Sequence, residues 1–324
     1  MTAAARILIV VNKFWECDPV CGVLTGRALK DSAKVSVPWP VVLTYPSCGP
    51  VQGRPFRPRM VFAVDRFQIE LWCISDLLSV FPDTSEYQSS SECKMEVLPD
   101  MFRTGSPLPV ALTVAVGTAS AGPFCPPWQG EEQVNVNGSV IVGSRVYIHD
   151  PYQGEEPNPH SRWSCTYFDT LMSSGGAVAP LIEALAAADP ARAFLVTPTN
   201  PAPAGPRLYA NPDYVALADV NVTDHTLFAE MDRRVGEAFR AGCPGNSGGV
   251  SLETTHGLIY AAARDHLGGD PPFLFVSGIV NRYLLFGKDV AGNAYPQNFT
   301  GAHNAGVVAA RLIATLAENP AVLG

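Results

Sequence analysis

Charge is scarce in this 324-residue chain: 16% of its residues are Asp, Glu, Lys or Arg, against about 25% in an ordinary globular domain. Basic residues are the scarcer kind, 22 against 30 acidic ones, for a net charge of −8. Binding nucleic acid through its phosphates needs a basic face, and none is visible, so that class is set aside. Long apolar runs are missing as well. Nothing approaches the roughly 20 residues of a membrane-crossing helix. The Ile7–Val11 run behind Arg6 is too short for a secretory signal core and reads as a buried strand.

Several chemical signatures are absent too. The eight cysteines contain no CxxC pair, and Cys17 and Cys21 have no second pair at zinc-like spacing. The six histidines form no metal set, so neither a metal nor a cofactor is expected. Free thiols and a cytoplasmic location are the matching expectation. There is no Gly-x-Ser-x-Gly elbow, which removes the commonest serine hydrolase, and neither a Walker A nor a Gly-x-Gly-x-x-Gly phosphate loop.

What is present is apolar sequence, 47% of the chain, with 28 glycines and 29 prolines. That suffices for a sizeable core with many turns. The low charge also suggests surface buried in an oligomer. Short apolar runs predict strands at 7–11, 61–64, 110–116, 139–148, 193–197 and 273–276. Helical spacing predicts helices at 68–78, 177–188, 224–240, 251–265 and 300–318. Strands alternating with helices give an α/β fold. Pro-rich loops interrupt it at 37–59, 151–164 and 197–212, with no linker and no repeat, so residues 1–324 are expected to form one domain.

Four segments carry candidate chemistry. Glu16 and Asp18 follow the first strand, where ligands bind in open α/β sheets; a solvated loop carboxylate is the plainer alternative. Gly117-Thr118-Ala119-Ser120 follows another strand, and small residues there let a ligand approach the backbone; a tight turn into a helix is the alternative. Glu253, read as the start of a helix, either complements its dipole or clamps a sugar diol, with Ser251 and Leu252 beside it. Asn281 ends a strand, and its amide can both donate and accept at a heterocycle edge, or merely shape a turn.

In this order the segments resemble the nucleoside phosphorylase and nucleosidase superfamily, which contains purine nucleoside phosphorylases and methylthioadenosine/adenosylhomocysteine nucleosidases. Arg6 to Glu16, Val114 to Gly122, Asn137 to Asp150, Val250 to Glu253 and Asn298 to Leu312 carry the resemblance, over about two thirds of the chain. The resemblance implies a three-layer α/β/α sandwich around a mixed central sheet. It implies cleavage of the N-glycosidic bond of a purine nucleoside without a cofactor, with homo-oligomers, dimers or trimers, as the usual state. It implies that Glu253 binds the ribose hydroxyls and that Glu16 activates water. Thr118, Ser120, Ser251, Leu252, His225 and Phe228 become substrate-binding candidates, and Asn281 the group that reads the base. Nucleosidases specific for adenine place an aspartic acid at the Asn281 position, whereas phosphorylases of 6-oxopurines use asparagine. An arginine that holds phosphate in many phosphorylases is replaced by Ala115, which favours water. The expectation is therefore a nucleoside hydrolase; a phosphate-dependent phosphorylase and a non-catalytic nucleoside-binding protein are the alternatives.

Overall fold

The computed structural model describes residues 4–26, 57–80, 91–103, 106–122, 135–149, 167–187, 195–219, 250–283, 285–290 and 294–323, with residues 233 and 236. Eleven strands form one mixed sheet: β1 (Ala5–Val11), β2 (Met60–Val64), β3 (Phe67–Cys73), β4 (Val110–Ala121), β5 (Val140–Gly143), β6 (Arg145–His149), β7 (Leu171–Ser173), β8 (Leu208–Ala210), β9 (Val215–Asp219), β10 (Val250–Glu253) and β11 (Phe273–Arg282). The main path runs β2-β3-β1-β4-β10-β9-β6-β7, and a branch leaves β4 through β11 and β5 to β8. Strand β4 is the hub. It lies parallel to β1 on one edge and parallel to β11 on the other, and its last residues meet β10 antiparallel.

The helices lie on both faces. Helices α1 (Phe14–Leu24), α4 (Ala179–Ala187) and α7 (Ala294–Glu318) share one apolar cluster with strand residues such as Ile7, Ile9 and Val114. Helices α3 (Ser91–Arg103) and α5 (His256–Leu267) share the other with Leu8, Val10 and Phe275. Successive residues of β1 thus face opposite layers, as a strand requires, and the continuous apolar run is what a strand covered on both faces demands. Short helices α2 (Ile74–Leu77) and α6 (Phe286–Val290) complete the set. This is the expected three-layer sandwich with a mixed sheet.

Four local expectations are corrected. Residues 68–78 are not one helix: 67–73 are strand β3, and only 74–77 turn helical. The polar Glu70 that suggests a helix face is buried instead. It accepts from Arg6 (3.4 Å), Gln68 (2.7 Å) and the Trp72 indole (2.9 Å). Residues 139–148 are two strands, broken at Ser144, whose hydroxyl donates to Pro212 O (2.8 Å) as the chain leaves β11 for β9. Residues 195–197 belong to no strand among the described residues. The Asn304 amide pairs with them instead, accepting from Val196 N and donating to Val196 O, both at 2.8 Å. Residues 251–253 are strand rather than helix.

The expected helix 224–240, apart from residues 233 and 236, and most of the Pro-rich stretches lie outside the described residues. Cys17 and Cys73 are free and buried, but Cys21 is disulfide-bonded, against the expectation of free thiols throughout. Among the described residues no helix is long and apolar enough to cross a membrane. Helix α7 crosses β11 closely at two glycines: a methyl on Gly278 would land on Gly301 O, and one on Gly301 would strike Val280 Cγ1.

Candidate active site

The pairing of β1 with β4 stops at Val11 opposite Val116, and β10 joins the same edge at Ser120. Between them, Gly117, Thr118 and Ala119 have no strand neighbour on that side among the described residues. The alternative of a tight turn at 117–120 is corrected: these residues continue strand β4, which runs to Ala121, with a gap in its ladder. A cavity of about 460 Å³ opens there, lined by Glu16, Thr118, Ser120, Leu252, Glu253 and Asn281, all six of them sequence candidates. The volume is in the ordinary range for a small-molecule site.

Glu16 fills the gap. It sits in the first turn of α1, not in a solvated loop, and is 4% exposed. Its Oε2 accepts the N–H of Lys13 (3.0 Å), closing the helix start, a usual task for a glutamate at this position. Its Oε1 accepts from Thr118 twice, from the backbone N–H (2.7 Å) and from the hydroxyl (2.6 Å). Burial pushes the carboxyl above its ordinary range, while the Thr118 and Lys13 donors and the Lys13 ammonium hold it back.

Glu253 ends β10, and its Oε2 accepts the N–H groups of Thr255 and His256 (2.8 Å for the latter) at the start of α5. One side chain thus has two differently placed oxygens: Oε2 caps the helix, and Oε1 is buried with no hydrogen-bond partner among the described residues. Burial raises the carboxyl to about 8, opposed by the two N–H donors and by Lys94. His256 Nδ1 is 3.9 Å from Oε1. Burial lowers that imidazole to about 3, so it is neutral and forms no ion pair.

Asn281 reaches the cavity through a bulge. Ile279 pairs with Ala119 and Asn281 with Ser120, so Val280 is the extra residue. Such an insertion re-aims the side chains around it. The Asn281 Oδ1 accepts from Ser120 Oγ (3.0 Å) and its Nδ2 donates to Arg282 O (2.8 Å). One lone pair and one N–H stay unused among the described residues. Arg282 itself is held by Asp289 (2.8 Å).

Three sequence candidates are missing from this group, for two different reasons. Ser251 is fully buried off the cavity, its hydroxyl 2.9 Å from that of Ser277, which in turn lies 3.4 Å from His256 Nδ1. His225 and Phe228 lie outside the described residues. Other lining residues escaped the sequence reading: Asn12, Lys13, Trp15, Tyr283 and Asn298. Asn12 Oδ1 and Asn298 Oδ1 are, like Glu253 Oε1, buried acceptors without a hydrogen-bond partner among the described residues. Buried acceptors left so are costly, and the cavity therefore suits a ligand that brings donors. Among the described residues, no group of three or more His, Cys, Asp or Glu side chains is arranged to hold a metal ion.

The sheet and its two helix layers share the fold of solved nucleosidase structures. Among solved structures, the chain is similar to a Borrelia burgdorferi B31 protein assigned as a 5′-methylthioadenosine/S-adenosylhomocysteine nucleosidase and bound to adenine. The TM-score is 0.53 and the identity 10%, over 95% of this chain and 99% of that one. It is equally similar to the Arabidopsis thaliana 5′-methylthioadenosine nucleosidase, with TM-score 0.52 and 12% identity over 96% of both chains. No family model and no curated protein sequence matches the chain.

Proposed function

We propose that the protein hydrolyses the N-glycosidic bond of a purine nucleoside. The observation that carries this reading is the pairing of Glu16 with Thr118. An attacking phosphate would need free backbone and hydroxyl donors near the sugar, and both donors of Thr118 are already taken by a carboxylate. A second anion beside Glu16 would be repelled, whereas water would be activated. Burial raises the basicity of Glu16, which brings a general base closer to the pH at which it works.

In this mechanism Glu253 Oε1 accepts hydrogen bonds from the ribose diol, and Thr118 with Ser120 lines the sugar's path. Glu16 takes a proton from water as it attacks the anomeric carbon. The C–N bond breaks with its electron pair going to the base, and Asn281 stabilises the departing base by hydrogen bonding. The likeness to two nucleosidases, one holding adenine, supports a purine. Asn281 favours one second reading, a nucleoside-binding protein without turnover, because an amide cannot hand a proton to the leaving base.

The test is incubation with a panel of purine nucleosides, with and without phosphate, following free base. Base release at a rate independent of phosphate is the expected result. Release that requires phosphate makes the protein a phosphorylase, and binding of nucleosides without release makes it a binding protein.

A further inference from the structure

Lys94 is a buried lysine that the mechanism above does not use. It sits in α3 and is 1% exposed, although lysine is almost never fully buried unless paired. It does not line the cavity. Its ammonium donates to Thr255 Oγ1 at 3.3 Å, and the backbone N–H of the same Thr255 donates to Glu253 Oε2. Thr254 Oγ1 lies 3.1 Å from Thr255 Oγ1 and faces the cavity wall. One threonine therefore separates a buried cation from the carboxylate that carries a partnerless oxygen.

We propose that Lys94 is a positioning residue for Glu253: held behind Thr255, its ammonium fixes the charge state of that carboxylate and so its affinity for a ligand's hydroxyl donors. The proposal rests on reading Glu253 as the diol clamp. The charged groups around Lys94 fit it. Lys13 on α1 opposes the ammonium, while Glu16 on α1 and Glu253 on β10 favour it. His256, at the start of the α5 helix packed on α3, is neutral. Asp76 on α2 is committed to Arg59. Farther along α5, Asp265 and His266 face Asp100 and Arg103 at the other end of α3.

Burial drives the two partners toward each other. It lowers Lys94 to about 8 and raises Glu253 to about 8. The two protons then belong to the pair rather than to either residue. When Glu253 loses its proton first, the remaining ion pair is stabilised by Lys94. Ribose donors arriving at Oε1 favour that same ionised state. Without the ammonium, Glu253 holds its proton to higher pH, and the protonated acid loses its charge-assisted grip on a diol.

The test follows Glu253 directly, by carboxyl ¹³C NMR of protein labelled at its glutamate side chains, with the resonance assigned by its loss in Glu253→Gln. In Lys94→Met the titration of Glu253 should rise by about one pH unit or more, a tenfold change in its ionisation. Lys94→Arg, which keeps the charge, should hold it near the wild-type value. Thr255→Val loosens the ammonium without deleting it and should give a smaller rise; it decides the matter if Lys94→Met does not fold. An unmoved Glu253 titration in folded Lys94→Met, or in Thr255→Val where that variant decides, overturns the proposal. The acidic limb of kcat/KM for base release should move by the same interval. A shifted titration in a protein that releases no base from any purine nucleoside would leave the Lys94–Glu253 coupling standing and refute the hydrolase reading.

Discussion

Glu16 Oε1 accepts both donors of Thr118, the backbone N–H at 2.7 Å and the hydroxyl at 2.6 Å. One carboxylate oxygen thereby closes a gap in the sheet and stands at the cavity wall. The other holds the first turn of α1. The proposed base is thus also a structural group.

Glu16→Gln keeps the shape and removes the base. The expected result is a fall in kcat of about 10²–10⁴ with a substrate analogue still bound. Steady-state kinetics beside calorimetric titration of the analogue measure both. Lost binding with an unchanged maximal rate would make Glu16 a binding group and leave the water to another base.

Glu253→Gln weakens charge-assisted hydrogen bonds worth about 1.5–3 kcal/mol each. Activity should fall about tenfold or more while circular dichroism shows an unchanged fold. An unaltered rate on the true substrate would remove this residue from the site.

The pH dependence of stability has a definite sign. Glu253 titrates near 8 when folded and near its ordinary 4.5 when unfolded. Between those values the folded protein binds the extra proton, so this residue's contribution to stability is lost as pH rises through that window. His256 acts oppositely at lower pH: with its folded value near 3, its contribution is lost as pH falls from about 6.5. Thermal unfolding of wild type and Glu253→Gln at several pH values isolates the first effect. The wild type should lose stability relative to the variant from pH 4.5 to 8, and parallel curves would contradict the assignment.

Asn281 has one amide N–H and one lone pair left after Ser120 and Arg282 take their share. That pair matches the adjacent carbonyl and N–H of a 6-oxopurine, so inosine or guanosine should be preferred to adenosine. Asn281→Asp should move the preference toward adenosine, since mismatched polar groups are rejected by large factors. A wild type that prefers adenosine by about tenfold or more would show that Asn281 does not read the base in this way.

Gly278→Ala tests the helix crossing. The added methyl would meet a backbone oxygen of α7, which has no rotamer to yield. Overpacking of this kind costs about 1–3 kcal/mol or more. A lowered unfolding midpoint in urea is expected, and a neutral effect would mean that α7 can slide on β11.

The parts legible in the sequence are those whose environment is uniform. Strands β1, β4 and β11 run through the middle of the sheet, so their apolar runs are unbroken. Strand β3 escaped because Glu70 is solvated by Arg6, Gln68 and Trp72 rather than by water, which is a long-range arrangement. Of the six candidates that line the cavity, Thr118, Ser120, Leu252, Glu253 and Asn281 stand in strands, and Glu16 in the first turn of the helix that follows β1. Asn298 and Lys94 were not legible. They come from helices, and which face of a helix meets a cavity is decided by packing between elements distant in sequence.

An open stretch of strand edge usually sits at a sheet's rim, where it invites pairing with other chains. Here the opening beside Gly117, Thr118 and Ala119 lies inside the molecule, roofed by α1. Substitutions at this spot therefore act on two traits together. A change that frees Thr118 to meet a new ligand also unfastens the start of a helix. Asn298, whose Oδ1 has no hydrogen-bond partner among the described residues, is a cavity position where a side chain can change without that cost.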